Sequence, residues 1–210
     1  AASKYDTPIG LHLDHGKSYE DVKACVDAGF TSIMIDASSL PFEQNVEEVK
    51  KAVRYCHFYG IPVEAELGAL QGKEEDIVNE AEAHTDPAMV ADFVNTTECD
   101  LLAVAVGNVH GLELEPHVDL DLLKTIADIS PVPLVLHGGS GIPFDVIQKA
   151  RKCGLLKINY GSDLRKEFIR TFGEAYENTN HKAHDVISLS MAAVDNVAAK
   201  ACELVKIINA

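Results

Sequence analysis

The chain has 210 residues, 47% hydrophobic, 6% aromatic and without tryptophan, enough for one core and with no linker to divide it, so residues 1–210 read as a single domain. A formal net charge of −15 opposes nucleic acid and anionic membranes as partners by long-range repulsion, and leaves any anionic ligand to be held by local devices. No run is apolar and long enough to span a bilayer, the first residues do not form a signal peptide, and Cys25, Cys56, Cys99, Cys153 and Cys202 form no CxxC pair, which together read as a soluble cytoplasmic protein with reduced thiols.

In chain order, PIGLHLD (8–14) is the first predicted strand, followed by a helix over 18–28, a strand TSIMID (31–36) and a helix over 43–59. PVEAEL (62–67) is a third strand. The charged, glycine-punctuated GALQGKEEDIVNE (68–80) reads as a mobile lid or as an ordinary solvated loop, and TDP then caps a helix over 87–97. Strands at 100–106, 132–137 and 155–159 alternate with helices at 119–128, 143–152 and 163–177. A last helix, 184–207, carries a stripe including Val186, Ile187, Met191, Val194, Val197, Leu204 and Val205, expected to pack on the barrel or on a second subunit.

Six strand–helix units with near-continuous apolar strands predict a parallel sheet covered by helices. An α/β TIM (β/α)₈ barrel has eight such units. Because the chain opens on AASKYDTPIG, like a helix end entering a strand, the expectation is a barrel whose first two βα units are absent, leaving strands three to eight. An open doubly wound sheet competes, but the placement of polar residues argues against it.

Each strand ends in polar groups: Asp14 and His15, Asp36, Glu64 and Glu66, GNVHG with His110, HGGSG with His137, and Asn159 before YGS. In parallel α/β folds the chemistry lies beyond these carboxyl ends. His15, His110 and His137, each followed by glycine and each from a different strand, would meet at one point. Three neutral imidazoles with an open fourth position suit a catalytic zinc acting as a Lewis acid. Asp14 is then either an orienting group or the acid or base. His12 is read as a structural residue facing the barrel interior, and Lys157 as a strand-end residue.

The runs GGSGIP and YGSDLR each lead from a strand into a helix. Backbone N–H groups of such turns, with the positive end of a helix, hold phosphate without basic side chains. A phosphorylated substrate is thereby reconciled with an acidic protein, although HGGSG also serves as a plain turn. Arg165, one turn into the last βα helix, adds a phosphate contact or makes a surface ion pair.

LHLDHG, MIDASSLPFEQNV, VEAELG, AVGNVHG, LVLHGGSGIP and KINYGSDLR, in this order, resemble the class II, zinc-dependent ketose-bisphosphate aldolases over essentially the whole chain. The resemblance implies zinc on His15, His110 and His137 and reversible cleavage of a fructose- or tagatose-type 1,6-bisphosphate to dihydroxyacetone phosphate and glyceraldehyde 3-phosphate. It makes Asp14 the proton donor to the aldehyde oxygen and Glu74 the residue exchanging a proton with the triose carbon. Asp36 and Glu66 would lie near the metal. Gly111, Gly138, Gly139, Ser140, Asn159, Tyr160, Gly161 and Ser162 would hold dihydroxyacetone phosphate, with Arg165 at the distal phosphate. A monovalent cation (Na⁺ or K⁺) and assembly as a homodimer or homotetramer are further implications. Gly161 stands where fructose-type members often carry Asp and tagatose-type members Ala, and HGLELEPHVDL lacks that connection's common Tyr or Lys. A relative acting on a phosphorylated keto sugar acid and a non-catalytic sugar-phosphate-binding protein are the alternatives.

Overall fold

The structure, a computed structural model, describes residues 6–68, 71–74, 77–79 and 84–209, with only the backbone over 71–74, 77–79 and at 209. Six parallel strands form the main sheet: β1 (His12–Gly16), β2 (Ser32–Ile35), β3 (Val63–Leu67), β6 (Leu101–Val104), β8 (Leu134–Leu136) and β9 (Leu155–Ile158), in that spatial order. The helices α1 (Tyr19–Asp27), α2 (Phe42–Phe58), α3 (Pro87–Thr97), α4 (Leu120–Ile129), α5 (Phe144–Lys152) and α6 (Ser162–Asn178) follow the six strands in turn. A seventh, α7 (Val186–Asn209), packs on α6. This is the expected sequence of βα units, and among the described residues β1 and β9 are the sheet's edges.

Three helix starts are set by short polar side chains. Ser18 caps α1, its Oγ accepting from Asp21 N at 3.1 Å and donating to Asp21 Oδ2 at 2.8 Å. Asp86 and Asp119 accept from the first amides of α3 and α4, and Pro87 takes the first turn of α3, where its missing N–H costs nothing. Along α2, Val46, Val49, Val53 and Cys56 recur on one face and are buried against the sheet. Burying each such side chain contributes about 1.5–3 kcal/mol.

Strand alternation divides the core in two. Ile33, Ile35, Val63, Ala65, Leu102, Val104, Leu134 and Leu136 join the helices in the main core, whereas Met34, Ala103 and Val135 form a separate layer on the opposite face. Glu64 and Glu66 share strand parity with that inner layer, and Met34↔Glu64 and Glu66↔Ala103 are register pairs.

Three departures from the sequence reading are local. The first strand starts at His12 rather than Pro8: Ile9 and Leu11 are more than half exposed, so no buried face draws them into the sheet. GALQGKEEDIVNE, expected as a lid or solvated loop, contains β4 (Gln71–Glu74) antiparallel to β5 (Ile77–Asn79). The strand expected over 100–106 stops at Val104, and β7 (Val109–His110) pairs instead with β4 in a separate three-stranded sheet. On α7, Ala193 and Leu204 are buried, whereas Val186, Ile187, Met191 and Val194 of the same helix are exposed.

Candidate metal centre and phosphate loops

His15 reaches the mouth of the sheet through an irregularity in β1. The β1–β2 register shifts between Leu13 and Gly16, and His15 takes φ 48°, a left-handed conformation uncommon outside glycine. Such bulges re-aim a side chain, and strain of this kind gathers at functional positions. Gly16 follows necessarily, because a Cβ there would stand 2.8 Å from Met34 O.

His110 comes from β7 and His137 follows β8 directly. All three rings are buried, with centroids 5.1 Å (His15–His110), 4.6 Å (His15–His137) and 6.0 Å (His110–His137) apart. Each offers a nitrogen within 4.8 Å of those of the other two. The convergence expected from the strand tips is therefore present.

Carboxylates fix which nitrogens face inward. His15 Nδ1 lies 2.7 Å from Asp36 Oδ2. Burial pushes the Asp36 carboxyl up, but the hydrogen bond from His15, with two bonds from Ser38, holds it at about 2. An ionised carboxylate only accepts, so His15 Nδ1 donates, and in the neutral ring Nε2 holds the lone pair. His137 Nε2 lies 2.7 Å from Glu64 Oε1. Burial likewise raises Glu64, while His137 and the Lys157 ammonium hold it at about 2. His137 therefore donates from Nε2, and in the neutral ring Nδ1 holds the lone pair. These two lone-pair nitrogens, His15 Nε2 and His137 Nδ1, face each other at 2.7 Å. Only a shared proton or a bound cation stabilises that approach. Burial above all lowers His110 to about 4, leaving it neutral near pH 7. Three imidazoles with two tautomers set by carboxylates fit a zinc-type donor set. Asp36 and Glu66 both lie beside His15, Glu66 Oε2 at 4.0 Å from its Nδ1.

Asp14 is 43% exposed at the mouth, its Oδ1 accepting from Asn159 Nδ2 at 3.0 Å. Asn159 also ties the two glycine-serine loops together: its carbonyl accepts from Gly139 N at 2.9 Å. Ser140 is buried, and its Oγ accepts from Asp163 N at the start of α6 at 3.0 Å. Gly138 (φ 63°) admits no side chain, since a Cβ would sit 1.9 Å from Val109 O. Gly161 caps α6 without a side-chain hydrogen bond, and Ser162 is its first residue. The Tyr160 ring packs against the main core, and burial, then Asp163, pushes its hydroxyl up to about 12. Gly111 (φ 88°) follows His110. Arg165 lines a cleft of about 770 Å³ with Leu112, Ser162 and Lys166. Glu74 ends the strand in which Gly72 pairs with His110, but its side chain lies outside the described residues.

Asn108 and Lys157 were not assigned to the site from sequence, and Glu64 was named there only as a strand-end group without a role. Asn108, fully buried, accepts from Val106 N at 2.9 Å and donates to His137 O at 3.0 Å, joining the His110 and His137 segments. The available signal for Glu64 was a carboxylate inside an apolar strand, sharing parity with Glu66. His12, read as structural, places Nδ1 2.8 Å from Ser32 Oγ. All five cysteines are free, and no described helix is long and apolar enough to cross a membrane.

A buried three-histidine cluster that could hold a metal ion stands at the mouth of a parallel α/β sheet of the TIM-barrel type, beside two glycine-serine loops. The family model for class II fructose-bisphosphate aldolase matches residues 1–210, and the chain belongs to that family. It is 45% identical over 168 residues to a fructose-bisphosphate aldolase of Geobacillus stearothermophilus, covering 80% of this chain and 58% of that protein. A Staphylococcus epidermidis fructose-bisphosphate aldolase is 47% identical over 157 residues, covering 74% and 55%. The crystal structure of the YdjI aldolase of Escherichia coli K12 superposes with a TM-score of 0.83 at 36% identity, covering 99% of this chain and 72% of that one. The chain thus spans little more than half the length of those two curated relatives.

Proposed function

We propose that the protein carrying this chain catalyses reversible aldol cleavage of a ketose 1,6-bisphosphate to dihydroxyacetone phosphate and glyceraldehyde 3-phosphate, with zinc on His15, His110 and His137. The observation that carries this reading is the pair of lone-pair nitrogens at 2.7 Å, each oriented by its own buried or partly buried carboxylate. Zinc, when bound, supplies fixed positive charge beside the carbonyl that gains electron density.

The chain's own groups do the rest. Asp14, steadied by Asn159, holds the proton that passes to and from the aldehyde oxygen. Glu74 exchanges a proton with the triose carbon. Backbone N–H groups at Gly111, at Gly138, Gly139 and Ser140, and from Asn159 through Tyr160 and Gly161 to Ser162 hold dihydroxyacetone phosphate, a monovalent cation sits near its phosphate, and Arg165 meets the distal phosphate. Asp36 and Glu66 keep His15 oriented. Fructose 1,6-bisphosphate is the first substrate of this reading because the relatives bear that name; Gly161, without a carboxylate, keeps the tagatose epimer as the second.

In the longer protein, two further βα units would join β9 to β1 and close a (β/α)₈ barrel. Ile9, Leu11 and Leu156, all exposed along those edges, would then be covered. Assembly as a homodimer or homotetramer, through the exposed α7 stripe, and a cytoplasmic location belong to the same proposal.

A coupled assay on fructose and tagatose 1,6-bisphosphates, with and without a chelator, tests the reading on the full-length protein. Cleavage that is lost on chelation and restored by zinc is expected. Phosphate-ligand binding without turnover would overturn it in favour of a binding protein.

A further inference from the structure

His110 and His137 reach the same point, yet the strands that lead to them are not paired with each other. β6 leaves the main sheet after Val104, and the residues that follow are held from outside it: Ala105 N donates to Thr85 Oγ1 at 2.9 Å, Asp119 N to Val106 O at 2.7 Å and His117 N to Gly107 O at 2.8 Å. β7, which presents His110, pairs with β4, whereas β8, which runs into His137, lies between β6 and β9. Something other than strand pairing therefore sets the separation of the two rings, whose centroids are 6.0 Å apart.

Asn108 stands at that junction, fully buried. Its Oδ1 accepts from Val106 N at 2.9 Å, closing a turn within its own segment, and its Nδ2 donates to His137 O at 3.0 Å, crossing to the segment of the other histidine. A backbone N–H only donates and a carbonyl only accepts, so one end of the side chain must be an acceptor and the other a donor. An amide meets both demands in a single orientation; an aliphatic side chain meets neither. Next to this bond, Val109 O lies against Gly138, where a Cβ would be 1.9 Å away. The two segments thus touch through the residues adjoining each histidine, and a shift of the 106–110 turn carries His110 with it.

We propose that Asn108 is a positioning residue for the metal centre: its amide ties the turn before His110 to the His137 carbonyl and so places the His110 ring as the third ligand. The inference rests on the reading of the three histidines as zinc ligands. Its route is backbone geometry alone, and the bonds that orient the His15 and His137 rings, from Asp36 and Glu64, do not pass through Asn108. A residue that merely filled the core here would change stability without changing the set of ligands.

The test compares Asn108→Ala with Val49→Ala, a truncation in the main core on α2, in the full-length protein. Zinc affinity is read by competition with a chelator, the ligands by X-ray absorption at the zinc edge, and stability by thermal unfolding of the metal-free protein. Asn108→Ala is expected to weaken zinc by about 10–100-fold, the range typical of lost orienting partners, and to remove one imidazole from around the bound ion. Val49→Ala is expected to lower the unfolding midpoint while keeping the affinity and every imidazole. Asn108→Ala with unchanged affinity and its full set of imidazoles, on an unsubstituted protein that does bind zinc, would overturn the proposal and leave the metal reading standing. So would a loss of zinc in Val49→Ala as large as in Asn108→Ala. An unsubstituted protein that takes up no zinc would overturn both. Should Asn108→Ala not fold, Asn108→Ser, whose hydroxyl is too short to reach both partners, carries the same expectations in the same measurements.

Discussion

His15 Nε2 and His137 Nδ1 face each other at 2.7 Å although 122 residues separate them in the chain. Asp36 and Glu64 hold the far sides of the two rings. Two acceptors so placed repel unless something positive lies between or beside them, and His110, lowered to about 4 by burial, adds a neutral imidazole near pH 7. Such an arrangement suits a cation, and the proposed zinc site rests on it.

Removing His110 tests the cluster with little disturbance to the carboxylate-held pair. His110→Ala is expected to abolish stoichiometric zinc binding, as read by metal analysis after gel filtration, while the circular dichroism of the fold is retained.

Asp14 differs from the histidines in being nearly half exposed and bonded to Asn159 rather than to a ring. Asp14→Ala is expected to retain zinc but to lose at least 100-fold in kcat, within the range for a missing general acid or base. Normal turnover in that variant would remove its assigned role.

Acid should destabilise the metal-free chain in two stages. His110 has a folded pKa of about 4 against an ordinary 6.5, so between those values the unfolded state binds the proton that the folded state refuses, and stability falls as pH falls through that window. Asp36 and Glu64, held at about 2 against ordinary values of 3.8 and 4.5, contribute stability that is present above those ordinary values and is lost as pH drops towards 2. Thermal unfolding followed from pH 7 to pH 3 is expected to show a midpoint that declines in both ranges. In His110→Ala the upper decline should be smaller.

Gly138 occupies a left-handed conformation with Val109 O where a Cβ would be. Gly138→Ala must displace either the β7 backbone or the loop after His137, at an expected cost of about 2 kcal/mol or more in unfolding free energy. Zinc affinity is expected to fall with it, because both flanking histidines move.

Much of this site was legible in sequence because its parts are local signals. His15, His110 and His137 each precede a glycine at a strand end, and Ser18, Asp86 and Asp119 mark helix starts with side chains that cap them. Glu64 and Lys157 were harder to place. Their meeting depends on inward strand parity and on a register shift between β8 and β9 that no local pattern announces. The β4–β5 hairpin was missed for a related reason: its partner strand β7 is two residues long and distant in sequence, and glycine with charged residues is a weak strand signal.

Titration of the metal-free chain with zinc, followed by X-ray absorption at the zinc edge, tests the central claim most directly. The expected result is saturable uptake of about one ion per chain with three imidazole nitrogens around it, and loss of that signal when His15, His110 or His137 is replaced by alanine. No saturable uptake, or uptake that survives the loss of all three rings, would contradict the account.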